Sequence, residues 1–433
     1  MKPLRKQGII LFTILALIMV ACGGSDTAEE TVEATPEVVE TLDSPAVTTA
    51  STVDTGVGVT SDPCPEVIGG IPTGADPSKG CIYLGLLNDY TGPFGPYGIP
   101  LETGQRGFWL WANQTGGVGD YSVAIVEGYD TQYNPQKHLE GYKAQRGEVA
   151  ALAMSLGTPQ TQFILDDMDA DNMIAAPMSW YSGWSYKGSD RGLVVEFGAA
   201  YCADGMNALD WAMANLPVDI KTVGVMGYAG DYGGDYAAGV TAAAEANGIT
   251  VAWEYIVPSS EFDVAQAVGL MVTKPVDAYF PAIGPTFMAQ VAGGAFQQGL
   301  TPIAMMAAPS YNDAFTAEGF ALAPLFQSGS MYLMAFVAPY EAQTPGHAAM
   351  RATLQAMGVD SGNLFLTAGW ASQHHLKGVL EAAVKGGDLT RAGIRRAAAN
   401  VSVSSDGMMP TRELGQDRAD AESFIGIPDE SQT

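Results

Sequence analysis

The sequence has little positive charge. Its 433 residues include 20 Lys and Arg against 47 Asp and Glu, which gives a net charge of −27 at pH 7. Between Gly23 and Ser78 there are acidic residues but neither Lys nor Arg. A chain with so little basic surface cannot displace counterions from phosphates, which argues against a nucleic-acid partner. Much of the negative charge is therefore expected to belong to a solvated spacer.

Motifs for nucleotide binding, hydrolysis and metal binding are also missing. The glycines of 227–233 do not have the Gly-x-Gly-x-x-Gly spacing, and Lys187 stands where a hydrolase elbow beginning at Gly183 needs its last glycine. The acidic run 166–172 lacks the glycine and glutamate of an EF-hand, which favours a solvated helix end. The histidines 374–375 have no second pair at helical spacing. We therefore expect no catalysis, no cofactor and no metal.

The N-terminus carries a targeting signal. A positive flank at residues 2–6 precedes an apolar run at 8–20, which is shorter than the ~20 residues of a spanning helix. Ala21 then precedes Cys22, and a small residue before cysteine resembles the bacterial lipobox. We expect residues 1–21 to be a lipoprotein signal peptide and Cys22 to carry the lipid. An ordinary signal peptide with an incidental cysteine is the alternative.

The remaining cysteines border or follow a segment without apolar periodicity. Residues 22–63 are predicted to be a lipidated, acidic, flexible tether, because their composition cannot bury enough apolar surface to fold. Cys64 and Cys81 bracket a Gly/Pro-rich loop and are expected to close it with a disulfide outside the cytoplasm. Cys202 is best explained as a buried small apolar side chain. With one cysteine acylated the remaining number is odd, so a different pairing stays open.

From residue 82 onward, short apolar runs alternate with helical stretches. The pattern predicts strands at 82–88 and 192–197 and helices at 98–113 and 159–167, and the alternation restarts after residue 205. Repeated strand–helix units favour right-handed crossovers and parallel sheets covered on both faces. We predict an α/β protein with two doubly wound, Rossmann-like (flavodoxin-like) lobes.

Ligands of such sheets bind outside the carboxyl ends of the strands. The loops that follow the predicted strands are rich in Gly, Pro, Ser, Thr, Asn or Tyr. They lie at 88–98, 128–134, 155–158, 177–181, 227–233, 283–285 and 308–312. We expect a binding site to be built from these loops.

The first of these loops has recognisable residues. Asn88-Asp-Tyr-Thr-Gly-Pro-Phe-Gly-Pro-Tyr-Gly98, with Gly104-Gln-Arg-Gly107 and Asn113-Gln-Thr-Gly-Gly-Val118, resembles the opening of the branched-chain amino acid (Leu/Ile/Val)-binding proteins. These are type I periplasmic or extracellular solute-binding proteins of ABC importers. The resemblance implies the periplasmic binding protein type I fold, with a three-stranded hinge between the lobes. The implied crossings lie near 197–199, 329–331 and 402–404.

The resemblance also implies a domain division and a function. Lobe 1 would comprise 82–197 and 332–403, lobe 2 would comprise 198–331 and 404–428, and the disulfide-closed loop 64–81 would precede them. The protein would trap a small polar solute, an amino acid or an amide- or carboxylate-like compound, and deliver it to ABC permease subunits. We expect a monomer that is held at the extracytoplasmic membrane face by its lipid. A sensory lipoprotein of the same fold, signalling through a protein partner, is the alternative.

The resemblance further assigns a set of ligand-binding residues, which are Tyr97, Ser155, Gly157, Thr158, Met178, Ser179, Trp180, Tyr232, Ile283, Gly284 and Ser310. Three positions depart from the family's pattern. Met178-Ser179-Trp180 is much bulkier than the family's short segment, and Gly157 stands where a serine is usual, although Ser155 or Thr158 could substitute for it. Ser310 stands where an acidic residue pairs with the α-ammonium. A desolvated ammonium without a carboxylate costs several kcal/mol. Either Asp313 or another acid supplies the charge, or the solute is not an α-amino acid.

Overall fold

The computed structural model describes residues 53–185, 189–230, 232–414 and 422–428. The predicted signal peptide, the predicted lipidation site Cys22 and most of the predicted tether lie outside the described residues. Within the described ranges, every helix is either too short or too polar to cross a bilayer.

The strands of the described residues are short. In chain order they are β1 (Asp54–Thr55), β2 (Val59–Thr60), β3 (Val67–Ile68), β4 (Ile71–Pro72), β5 (Gly80–Asn88), β6 (Tyr121–Ile125), β7 (Tyr129–Asp130), β8 (Ala151–Leu156), β9 (Ala175–Met178), β10 (Thr222–Tyr228), β11 (Thr250–Val257), β12 (Ala278–Ala282), β13 (Ile303–Met306), β14 (Met331–Ala335), β15 (Asp388–Leu389), β16 (Ser402–Val403), β17 (Arg412–Glu413) and β18 (Phe424–Gly426).

The helices follow the strands in the alternation that the sequence predicts. In chain order they are α1 (Gly95–Gln114), α2 (Pro135–Gln145), α3 (Thr158–Phe163), α4 (Leu165–Asp171), α5 (Tyr201–Asn215), α6 (Tyr232–Asn247), α7 (Val264–Thr273), α8 (Pro285–Gln297), α9 (Ala323–Gln327), α10 (Pro345–Ala356), α11 (Leu364–Lys385) and α12 (Arg391–Ala398).

Lobe 1 is built around β5. This strand pairs in parallel with β6, β7 and β8, while β9 extends the sheet beyond β8 and β2 adds an antiparallel edge. Helices α1 and α11 pack against each other and against β6 and β9, with α10 and α12 alongside. Helices α2 and α3 cover β5 and β8. Since helices cover the strands, β5 and β8 read as nearly continuous apolar runs.

Lobe 2 is built around a sheet of order β11-β10-β12-β13-β14-β18. Its pairs are parallel except for the last, in which β18 runs antiparallel to β14. Helix α6 packs on β10 and β12 and against α5, and α7 packs against α8. The two sheets with their helices confirm the predicted α/β fold of two doubly wound lobes.

Three local predictions need correction. Residues 192–197 form no strand, because their pairing with β9 is confined to the bridge between Ala175 and Val194 before the chain enters the crossing. The helix predicted at 159–167 is divided into α3 and α4 at Ile164. Residues 332–335, which the implied domain division gives to lobe 1, belong to β14, which pairs with β13 and β18 in the sheet of lobe 2.

Cys64 and Cys81 are joined by a disulfide, with 4.8 Å between their Cα atoms. This is the pairing that the sequence predicts. Cys202 carries a free thiol and is half-buried, so the prediction of a buried side chain is only partly met. Burial and the nearby Asp235 carboxylate raise the pKa of this thiol, which keeps it in the unreactive protonated form.

We expect the Cys64→Ser/Cys81→Ser variant to lose about 3 kcal/mol of unfolding free energy, because the opened loop regains conformational freedom in the unfolded chain. The sequence separation of the two cysteines is 17 residues. Urea unfolding followed by tryptophan fluorescence measures the loss. Cys202→Ser is the matched control and should leave the midpoint nearly unchanged. An unshifted midpoint for the double variant would contradict a stabilising role of the disulfide.

Candidate functional site

A cleft lies between the two lobes, at the carboxyl ends of their strands. It holds about 410 Å³ of empty space, open solvent included. The described residues that line it are Phe94, Tyr97, Leu101, Tyr133, Leu156, Gly157, Thr158, Met178, Trp180, Tyr201, Tyr232, Pro309 and Phe365. Most of these residues are aromatic or aliphatic, and none of them carries a charge. The cleft can therefore enclose an apolar body and offer hydroxyl groups to a polar end.

The structure brings only part of the predicted site to this cleft. The predicted residues that line it are Tyr97, Gly157, Thr158, Met178, Trp180 and Tyr232. The predicted residues that do not appear in its lining are Ser155, Ser179, Ile283, Gly284 and Ser310. Their hydroxyl and backbone amide groups form hydrogen bonds within the protein.

Ser155 and Ser179 lie behind the wall of lobe 1. The Ser155 hydroxyl is 2.8 Å from Nε2 of the buried His138. The Ser179 hydroxyl accepts a hydrogen bond from Trp184 Nε1 at 3.0 Å and shares another with Thr158 Oγ1 at 2.7 Å. Ser179 therefore orients the hydroxyl of Thr158, which does line the cleft.

Ser310 and the loop after β12 support the wall of lobe 2 in the same way. The Ser310 hydroxyl accepts from Ile283 N at 3.1 Å and donates to Pro281 O at 3.2 Å. Gly284 N donates to the hydroxyl of Tyr228 at 2.9 Å. Because the Ser310 side chain is fully buried and bonded to the backbone, it fixes the loop and contributes no charge to the cleft.

Asp313 is the acid that the sequence offers in place of Ser310, and it does not line the cleft. Its Oδ2 accepts a hydrogen bond from Asn363 Nδ2 of lobe 1 at 2.7 Å. Burial raises the pKa of Asp313, while the bond from Asn363 opposes the rise. This carboxylate is therefore engaged in a contact between the lobes.

A buried polar loop places the first aromatic residues of the cleft. The Asp89 carboxylate accepts from Gly92 N at 2.6 Å and from Phe94 N at 2.9 Å. Asn88 Nδ2 donates to Gly98 O at 2.9 Å. Burial raises the pKa of Asp89, against the effect of its backbone donors. These bonds close the loop before α1, so that Phe94 is held at the cleft.

Tyr97 reaches across the cleft. Its ring stacks on Phe365, with 3.8 Å between ring centres, and both rings belong to lobe 1. Its hydroxyl donates to Tyr311 O of lobe 2 at 2.7 Å. Burial raises the pKa of Tyr97 well above its ordinary value, so the phenol remains a neutral donor. Tyr97 thus contributes ring surface to the cleft and a hydrogen bond between the lobes.

Aromatic rings form a continuous wall on the other side. Trp180 stacks on Phe336 at 3.7 Å between ring centres and meets Tyr201 edge-on at 5.9 Å. The Tyr201 ring lies 5.4 Å from the Tyr232 ring, which in turn lies 6.1 Å from Phe94. Such tilted and edge-on contacts are favourable geometries of aromatic pairs. The rings of this wall therefore stabilise one another.

Gly157 has a conformation that a serine would not adopt without strain. Its φ is +103°, in the region that favours glycine. A Cβ atom here would lie 2.1 Å from Gln160 Oε1 and 2.7 Å from the ring of Tyr133. The Gln160 amide, held by a 2.7 Å bond from its Nε2 to Tyr133 O, occupies this space. The departure from the family's serine is therefore accommodated by the surrounding packing.

Several lining residues were not predicted from the sequence. They are Phe94, Leu101, Tyr133, Leu156, Tyr201, Pro309 and Phe365. Phe94, Tyr133, Leu156 and Pro309 lie in or beside the loops after the strands, where a systematic search could find them. Phe365 lies at the start of α11, and nothing in its neighbourhood in the sequence points to the cleft.

No group of three or more His, Cys, Asp or Glu side chains within the described ranges has an arrangement that could hold a metal ion. The histidines 374–375 are buried on α11, and burial lowers the pKa of each to about 3. They are therefore neutral at physiological pH.

Two doubly wound lobes that enclose a small cleft define a solute-binding protein. Residues 81–423 match the family model described as periplasmic binding protein. This match covers more than half of the chain, and the chain belongs to that family. It is a solute-binding protein of the ABC-transporter type, a class that works with membrane permeases outside the cytoplasm and is not enzymatic.

Solved structures of the same kind are similar to it. A fatty acid ABC transporter substrate-binding protein from Thermomonospora curvata has a TM-score of 0.76 and 25% identity, over 88% of this chain and 92% of that one. A branched-chain amino acid ABC transporter protein from Thermus thermophilus with bound valine has a TM-score of 0.63 and 15% identity, over 74% and 83%. A solute-binding protein from Rhodopseudomonas palustris HaA2 in complex with p-hydroxybenzoic acid has a TM-score of 0.64 and 16% identity, over 81% and 98%. No curated protein matches the sequence.

We expect Gly157→Ala to destabilise the protein by about 1–3 kcal/mol, because the added methyl group meets Gln160 and forces an unfavourable backbone conformation. Thermal unfolding measures the effect. Gly147→Ala is the matched control, since a Cβ there meets no atom within 4 Å and its φ is not in the left-handed region. Equal unfolding temperatures for the two variants would show that the packing at Gly157 is not restrictive.

Proposed function

We propose that this protein is the lipid-anchored solute-binding component of an ABC importer for an apolar compound with one polar end, such as a fatty or aromatic carboxylic acid. The observation that carries the proposal is the aromatic and aliphatic lining of the cleft, in which no described residue is charged. Burial of apolar solute surface then provides the binding energy, at about 25 cal/mol per Å² before the costs of association.

An α-amino acid fits this lining poorly. Its ammonium group needs a carboxylate when it leaves water, since an unpaired buried charge is strongly unfavourable. Ser310 is bonded to the backbone, and the Asp313 carboxylate accepts from Asn363 outside the lining. The branched-chain amino acid specificity that the sequence resemblance implies is therefore not the one that we propose.

A polar end has candidate partners in the cleft. Thr158 Oγ1 is oriented by its 2.7 Å bond to Ser179. Tyr133, Tyr201 and Tyr232, which carry phenol hydroxyls, also line the cleft. Hydroxyl groups can both donate and accept hydrogen bonds, so they suit a carboxyl or hydroxyl group better than a permanent cation. The similarity to the fatty acid-binding protein from Thermomonospora curvata supports the same class of solute.

We expect saturated fatty acids or p-hydroxybenzoate to raise the unfolding temperature, since a solute that binds only the folded protein stabilises it. Valine at the same concentration should not. Calorimetric titration of the solute that binds should show at least tenfold weaker binding to Tyr232→Ala, about 1.4 kcal/mol, because Tyr232 belongs to the aromatic wall. Phe163→Ala is the control, because Phe163 is 51% exposed and does not line the cleft. Stabilisation by valine alone would overturn the proposed specificity.

The lipid anchoring that we propose is based on the predicted signal peptide and on Ala21-Cys22. We expect the Cys22→Ala variant, expressed in a bacterial host, to leave the membrane fraction, because a variant without the thiol cannot be acylated. Mass spectrometry of the mature N-terminus should find an acylated Cys22 in the unaltered protein. Cys202→Ala is the control and should remain with the membrane. Membrane association that survives Cys22→Ala would contradict the anchor while leaving solute binding intact.

A further inference from the structure

The two lobes are joined by a carboxylate beside the cleft. Asp235 lies on α6 of lobe 2, and Ser182 begins the 3₁₀ turn Ser182–Ser185 that follows β9 of lobe 1. Asp235 Oδ2 accepts from Ser182 N at 2.8 Å, and Oδ1 accepts from the Ser182 hydroxyl at 2.5 Å. Both carboxylate oxygens of one lobe are therefore held by a single residue of the other.

The surroundings make this contact strong. Ser182 and Asp235 are both half-buried, and the backbone N–H of Cys202 also donates to the carboxylate. Burial raises the pKa of Asp235, and its donors oppose the rise. Hydrogen bonds to an ionised group are about twice as strong as those between neutral groups. Separation of the lobes would remove both Ser182 donors from the carboxylate at once.

The contact is adjacent to the binding space in both lobes. Asp235 follows Tyr232 by three residues on α6, and Ser182 follows Trp180 by two residues. Both of these aromatic residues line the cleft, whereas Asp235 and Ser182 do not. The contact between Asp235 and Ser182 therefore keeps Trp180 of lobe 1 and Tyr232 of lobe 2 close together, while neither Asp235 nor Ser182 lines the cleft.

Each partner of this contact is held by packing within its own lobe. Trp184, in the same turn as Ser182, is buried in a cluster of lobe 1 and donates to Ser179. On the other side, α6 packs on β10 and β12 in the centre of the sheet of lobe 2. Because each partner is packed into its own lobe, the hydrogen bonds between them oppose separation of the lobes.

We propose that Asp235 is a latch that holds the lobes closed over the cleft and thereby sets how readily the protein opens. Asp235 is a positioning residue. Through its hydrogen bonds to Ser182 it keeps Trp180 and Tyr232 close together on the two sides of the cleft. The proposal depends on the two-lobe architecture and not on the identity of the solute, so it can be tested in the solute-free protein.

The test is small-angle X-ray scattering of the purified, solute-free full chain. We expect the unaltered protein to be compact and Asp235→Ala to have a larger radius of gyration, with at least a tenfold fall in the closed-to-open ratio. Asp235→Asn should recover part of the compaction, since its amide can accept from Ser182 N–H and donate to the Ser182 hydroxyl. Ser182→Ala should open the protein less than Asp235→Ala, because its backbone N–H remains.

Glu245→Ala is the matched control, because Glu245 is exposed on the same helix and lies outside this contact. It removes one charge from α6 and should leave the scattering profile unchanged. Circular dichroism establishes that each variant is folded, and Ser182→Ala decides the question if Asp235→Ala does not fold. Identical profiles for the unaltered protein and the folded latch variants, or equal expansion of Glu245→Ala, would overturn the proposal. If none of the tested solutes binds, the scattering result is unaffected, and only the proposed solute specificity is contradicted.

Discussion

The burial of aromatic side chains between the two lobes is the constraint on which the rest of the structure depends. Tyr97 illustrates it, because its ring stacks on Phe365 while its hydroxyl must find an acceptor inside the protein. A buried hydroxyl without a partner costs about 1–3 kcal/mol. The acceptor, the carbonyl of Tyr311, belongs to the opposite lobe. The closed arrangement therefore satisfies the polar end of the very ring that lines the cleft.

The polar residues near the cleft are likewise hydrogen-bonded to other groups of the protein. Asp89 closes the loop before α1, and Ser310 ties the loops after β12 and β13 together. Asp313 binds Asn363 of the other lobe. Because each of these groups is engaged by the protein, the space between the lobes is left to aromatic and aliphatic side chains. The apolar character of the cleft thus follows from how the polar groups around it are used.

The parallel strands of this fold could be predicted from the sequence because they are continuous apolar runs, as β5 and β8 show. Residues 192–197 are also apolar but pair only through Val194, and composition does not reveal where a pairing partner ends.

The position of the loops predicted Tyr97 and Trp180 at the cleft, because parallel sheets bring the carboxyl ends of their strands to one edge. It also predicted Ser155 and Ser310, whose hydroxyls turn inward. The direction of a short polar side chain depends on tertiary partners, which a single sequence does not contain.

Gly157 and Ser310 depart from the pattern of the resembling family within a common fold. In the resembling family these positions carry a hydroxyl and a carboxylate that face the solute, and here neither does. At Gly157 the side-chain space is filled by the Gln160 amide, and at residue 310 the shorter serine reaches only the backbone. Each change replaces a polar side chain of the family's pattern while leaving the strand order intact. Since the scaffold depends on buried strands and the specificity on a few side chains at their ends, the fold can be shared at low sequence identity while the bound solute differs.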